Sequence, residues 1–91
     1  MKYETWNSFP TELKIRLIAH ESNSDLLEKI AENEQLPEIK FAITQNEHTP
    51  KQLSEKLYIE LVSDSKTPKA ILLKIARNGD VPEYIKDSLK K

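Results

Sequence analysis

Ninety-one residues allow one domain with a core of modest size, because small chains bury a smaller fraction of their surface than large ones. The absence of cysteine excludes disulfides, thiolate metal sites and cysteine nucleophiles, and a net charge of -1 argues against a protein that holds nucleic acid by charge alone. Apolar runs such as "LIA" and "AILL" are far too short to cross a bilayer, and "MKYETWNSFP" has no apolar middle of the signal-peptide kind, so a cytoplasmic protein is expected.

In chain order, the first nine residues hold Tyr3, Trp6 and Phe9 and precede a helix expected near 10–20. Apolar residues then recur at helical intervals, as Leu26 and Ile30, Ile39 with Ala42 and Ile43, Leu53 with Leu57 and Leu61, and Ile71 and Ile75. They predict helices near 25–33, 37–45, 50–63, 68–77 and 82–90. Sustained alternation, the mark of strands, is absent, and one glycine leaves little material for tight hairpins. Thr49 and Thr67 each precede a proline, a pair that suits an N-cap followed by the first helical residue. Thr49 with Gln52 adds the capping-box spacing, which Ser22 with Asp25 and Asp80 with Glu83 repeat with acids.

The chain also repeats itself. "NEHTPKQLSEKL" from Asn46 and "DSKTPKAILLKI" from Asp64 align at an offset of 18, which sets Leu57 on Ile75. An offset of 27 sets Leu26 on Leu53 and Ile30 on Leu57, and at 45 "IAENEQLPE" falls on "IARNGDVPE". The unequal spacing means that the middle copy lacks the "AENEQLPE" link, so the helix from Pro50 is expected to be the longest. Tyr58 fits that reading, because its equivalents Ala31 and Ala76 are small residues suited to a close turn. The expected organisation is a single helical-repeat domain, with residues 1–21 as cap and first helix and repeats at 22–48, 49–66 and 67–91.

The stretch "IAENEQLPEIKFAITQNEHTPKQLSEKL" resembles the variant leucine-rich repeat, whose units combine a Pro-Glu-aliphatic element, an Ala-aliphatic-Ala-x-Asn turn and a Thr-Pro element. The resemblance spans about Ser22 to Leu89. It implies an all-α, right-handed solenoid of α- and 3₁₀-type helices, related in outline to armadillo and HEAT stacks. The chain departs from the pattern in Thr44, in the shortened middle unit and in Asp64, which stands where Asn is usual. A cysteine-bound iron-sulfur cluster, carried by some members, has no ligands here.

A stack of this kind points to binding rather than catalysis. No serine lies in a GxSxG elbow, the single glycine removes phosphate-cradling loops, and His20 and His48 stand 28 positions apart without an HExxH motif, so no metal or cofactor is expected. Glu60, beside an apolar stripe, is assigned a salt bridge to Lys56 one turn earlier. Phe41 aligns with Ile59, and that recurrence favours packing between layers. The recurring polar feature is a lysine ladder: Lys29, Lys56 and Lys74 occupy equivalent places, as do Lys51 and Lys69. Such rows are either a solvated edge or a stripe for an acidic partner. Tyr3 and Trp6 are either a lid on the first helices or further contact residues.

Charge is uneven along the chain, with five basic and nine acidic residues through His48, a balance of -4, and nine against six beyond it, a balance of +3. The expected function is a non-enzymatic module that presents a helical-repeat face to another protein. Two alternatives remain open at this level: a nucleic-acid backbone binder using the lysines, or a small phage or mobile-element inhibitor that blocks a host complex.

Overall fold

A computed structural model describes the backbone of residues 3–90 and the side chains of residues 5–89. A 3₁₀ helix, Tyr3–Ser8, leads into α1 (Thr11–His20), α2 (Ser24–Asn33), α3 (Pro37–Thr44), α4 (Lys51–Ser63), α5 (Lys69–Arg77) and α6 (Glu83–Asp87), and a last 3₁₀ turn covers Ser88–Lys90. The chain is all-helical, with no strand among the described residues. The helices lie where the aliphatic spacing places them, and α4, at 13 residues, is the longest. Among the described residues, no helix is long and apolar enough to cross a membrane.

Helices α1 to α5 each bury a pair at i and i+4 spacing: Lys14 and Ile18 in α1, Leu27 and Ala31 in α2, Ile39 and Ile43 in α3, Leu57 and Leu61 in α4, Ile71 and Ile75 in α5, while α6 buries Ile85 alone. Ile30, Leu57 and Ile75, which share a place in the internal alignment, are all buried. Burying a side chain of this size contributes about 1.5–3 kcal/mol, so each aligned position adds substantially to the interior.

Two clusters divide the interior. The first gathers Trp6, Ile18, Leu27, Ile30, Ala31, Ile39, Ile43 and Leu57, with Phe9 packed against it. The second gathers Tyr58, Leu61, Ile71, Ile75, Val81 and Ile85, with Phe41 and Leu89 against it. The boundary falls between Leu57 and Tyr58, so α4 serves both. α3 packs on α1, α2, α4 and α5, while α4 also packs on α5, α6 and the last 3₁₀ turn. The molecule measures 39 × 23 × 18 Å, about twice as long as it is thick.

The links correct the expected capping. Neither Thr49 nor Thr67 caps the helix that follows it; Pro50 and Pro68 hold the N-cap positions and no side chain caps either helix. Instead the Thr49 hydroxyl donates 2.6 Å to the Ile43 carbonyl and that of Thr67 donates 2.7 Å to the Leu61 carbonyl. The carbonyls in the last turn of a helix have no partner within it, so each threonine completes the helix behind it. Val81, also buried, holds the corresponding place before Pro82. At the start of α2 the cap is Asn23, not Ser22, and its side chain accepts from the amides of Asp25 and Leu26. The α6 cap is Pro82, so Asp80 and Glu83 form no capping box either.

Three of these links begin with an Asx turn. Asn46 accepts from the amide of His48, Asp64 from that of Lys66, and Asn78 from that of Asp80. Asn46 also donates to the Ile18 and Glu21 carbonyls, which ties the end of α1 to the link after α3. Asn78 donates to the Tyr58 hydroxyl at 3.3 Å. Asp64 has no amide protons to give, so it makes the turn without the cross-link.

Candidate functional site

α3 turns Ile39 and Ile43 inward, and the residues on its other side, Glu38, Phe41, Ala42 and Gln45, follow at i, i+3, i+4 and i+7. That spacing places them in one line along the helix. α1 adds Ile15 and Ala19 on one side of the line and α5 adds Ile71 and Lys74 on the other. The result is an open, largely apolar groove of about 410 Å³ with α3 as its floor. Ala42 makes the depression possible, since a larger side chain there would fill it.

The groove continues past Phe41 and Gln45 into a polar extension bordered by Lys74, Arg77, Asn78 and Asp80. Lys74 Nζ stands 5.8 Å from the centre of the Phe41 ring, within cation-π range. Behind it, Gln45 and Asn78 both donate to the Tyr58 hydroxyl, at 3.2 and 3.3 Å. The large ring of Tyr58 therefore locks three elements together under this surface.

Of the predicted contact residues, only Lys74 lies in the groove. Lys51 lines a neighbouring polar recess with Tyr58 and Asn78, and Lys69 lines a third recess with Leu72, Leu73 and Leu89. Lys29, on α2, and Lys56, on α4, are exposed and border none of these recesses. Trp6 is withdrawn from the surface: it is 1% exposed and its indole N–H donates 2.9 Å to Glu34. The side chain of Tyr3 lies outside the described residues.

The salt bridge expected between Glu60 and Lys56 is replaced by one from Lys40 at 3.1 Å, joining α3 to α4. Phe41 does pack against the second core, whereas its equivalent Ile59 is 43% exposed. Alignment alone therefore identified the ring and not its counterpart. Sequence reasoning passed over Gln45, Arg77 and the small Ala42, because it searched for residues that recur. Arg77 aligns with Glu32 and Ile59, so nothing in the repeat marks it. Its only signal is its place three residues after Lys74, on the same helix face.

His20 and His48 are exposed, and no group of three or more metal-ligating side chains occurs among the described residues. Comparison with known proteins finds no matching family model, no matching curated protein and no matching solved structure.

Proposed function

We propose that the chain is a short α-solenoid of the variant leucine-rich repeat kind, capped at its N-terminus by the Trp6 segment, and that it is a non-enzymatic module binding another protein. The observation that carries this reading is the groove over Ala42, where three non-consecutive helices jointly border an apolar depression in a chain only 91 residues long. Side chains that build a depression of this type on a small domain are well suited to receive an apolar side chain from a partner. The lysines support a nucleic-acid reading less well, since Lys51, Lys69 and Lys74 border three different recesses.

The test is affinity capture from the native host lysate with the unaltered chain and with Ala42→Arg, which fills the groove with a long cationic side chain. The expected result is a protein retained by the first and lost from the second, with both giving the same helical circular dichroism. Retention by both, or capture of nucleic acid alone with a steep salt dependence, would falsify the assignment of the face.

A further inference from the structure

The chemistry of the partner follows from the charged side chains that border the groove and its extension, Glu38, Lys74, Arg77 and Asp80. Three basic side chains elsewhere have carboxylate neighbours: Lys14 pairs with Glu34 at 3.4 Å, Lys40 with Glu60 at 3.1 Å, and His48 approaches Glu47 at 3.5 Å. Among the described residues, Lys74 and Arg77 have no carboxylate within 4.0 Å. Lys74 rests instead against the Phe41 ring, and both cations border the polar extension that opens directly from the apolar groove. Asp80 borders that extension but closes no ion pair with either of them. An apolar depression is thus followed along α5 by two adjacent positive charges that no carboxylate approaches within 4.0 Å, with Glu38 beside the groove and Asp80 beside the extension.

Resting on the proposed role of this face, we infer that its occupant is a segment of another protein in which an aliphatic or aromatic residue is followed closely by acidic ones. The apolar side chain sits over Ala42 between α1 and α5, and a carboxylate reaches Lys74 and Arg77. Arg77 supplies a planar fork suited to bidentate pairing, and Lys74, held against Phe41, supplies a second charge at restricted rotamer freedom. A strongly charged polyanion without apolar groups leaves the depression over Ala42 unfilled.

The probe is a display library of random 12-residue peptides panned on the intact chain. Enriched peptides are then made synthetically and titrated by fluorescence anisotropy, with their contact site mapped by NMR chemical shifts. The expected result is a consensus pairing Leu, Ile, Phe or Trp with Asp or Glu, shifts centred on Phe41, Ala42, Lys74 and Arg77, and at least tenfold weaker binding by Lys74→Glu with Arg77→Glu. Lys29→Gln with Lys56→Gln, on α2 and α4, should bind within twofold of the unaltered chain. Peptides that map to the groove but lack acidic residues, or that tolerate the charge reversal, overturn this inference and leave the face assigned. Shifts elsewhere, or no enrichment at all, overturn it together with that assignment. Displacement of the peptides by oligonucleotide, or a concentration-dependent dimer abolished by Lys74→Glu, overturns it in favour of nucleic acid or of a second copy of the chain.

Discussion

At the N-terminal end, Trp6 is driven into the first core, and one oxygen of Glu34 receives both its indole N–H and the ammonium of Lys14. Lys14 also stands 5.3 Å from the centre of the Trp6 ring. At the C-terminal end the final α-helix is five residues long, and Leu73 and Tyr84 remain 55% and 59% exposed. The first core thus holds a buried aromatic ring fastened with polar bonds, while a short helix and Leu89 lie against the second. Both cores are made from the same kinds of aliphatic positions. What distinguishes them is how the outermost apolar side chains are covered.

The largest expected effect breaks the better-sealed end. Trp6→Ala should cost about 3–5 kcal/mol, since it empties a large buried site and removes the donor to Glu34. Trp6→Phe should recover most of the melting temperature; if it recovers none, the indole bond and not the packing closes this end. Leu57→Ala, at the boundary between the clusters, should cost about 2–5 kcal/mol. Thermal unfolding should then remain a single transition at lower temperature, because α4 belongs to both cores. Two separate transitions in circular dichroism would show that the cores are independent.

A smaller effect separates the links. Asn46→Ala should cost about 1–3 kcal/mol, because it removes two bonds to the end of α1 together with the Asx turn to His48. Asp64→Ala, which removes only the Asx turn, should cost less, and equal losses in urea unfolding would show that the cross-link contributes nothing. The smallest change has the opposite sign. Gly79 has no positive φ and nothing within 4 Å of where a Cβ would stand, so Gly79→Ala should stabilise the weaker end by about 0.4–1 kcal/mol. A lowered melting temperature would mean that the Asn78 to Asp80 turn needs glycine for its path.

Helix positions were legible because proline and aliphatic spacing are local signals. Pro37, Pro50, Pro68 and Pro82 punctuate the chain just where helices begin, and the deletion deduced from offsets of 27 and 18 foretold a long α4. The cross-connections were not legible. Lys14 to Glu34, Asn46 to Ile18 and Lys40 to Glu60 join residues 20 to 28 positions apart, and no spacing rule selects one acid among fifteen. The threonines mislead for a related reason. A hydroxyl beside a helix start is read as a cap, but the carbonyls behind it were equally in need of a donor. The spread of the lysines was not legible either: equal places in an alignment do not ensure a shared recess, and Lys51, Lys69 and Lys74 border three different ones.

Leu57 and Tyr58 are consecutive residues, yet one faces the first core and the other the second. Adjacent side chains on a helix point about 100° apart, so a single turn of backbone acts as a splint across the seam. Such a splint cannot yield on one side while staying rigid on the other: fraying α4 at its midpoint releases both side chains together. A ligand of the proposed groove would reach that splint through α3 and α5, which both pack on α4, and the amides around Val81 and Ile85 should then exchange more slowly.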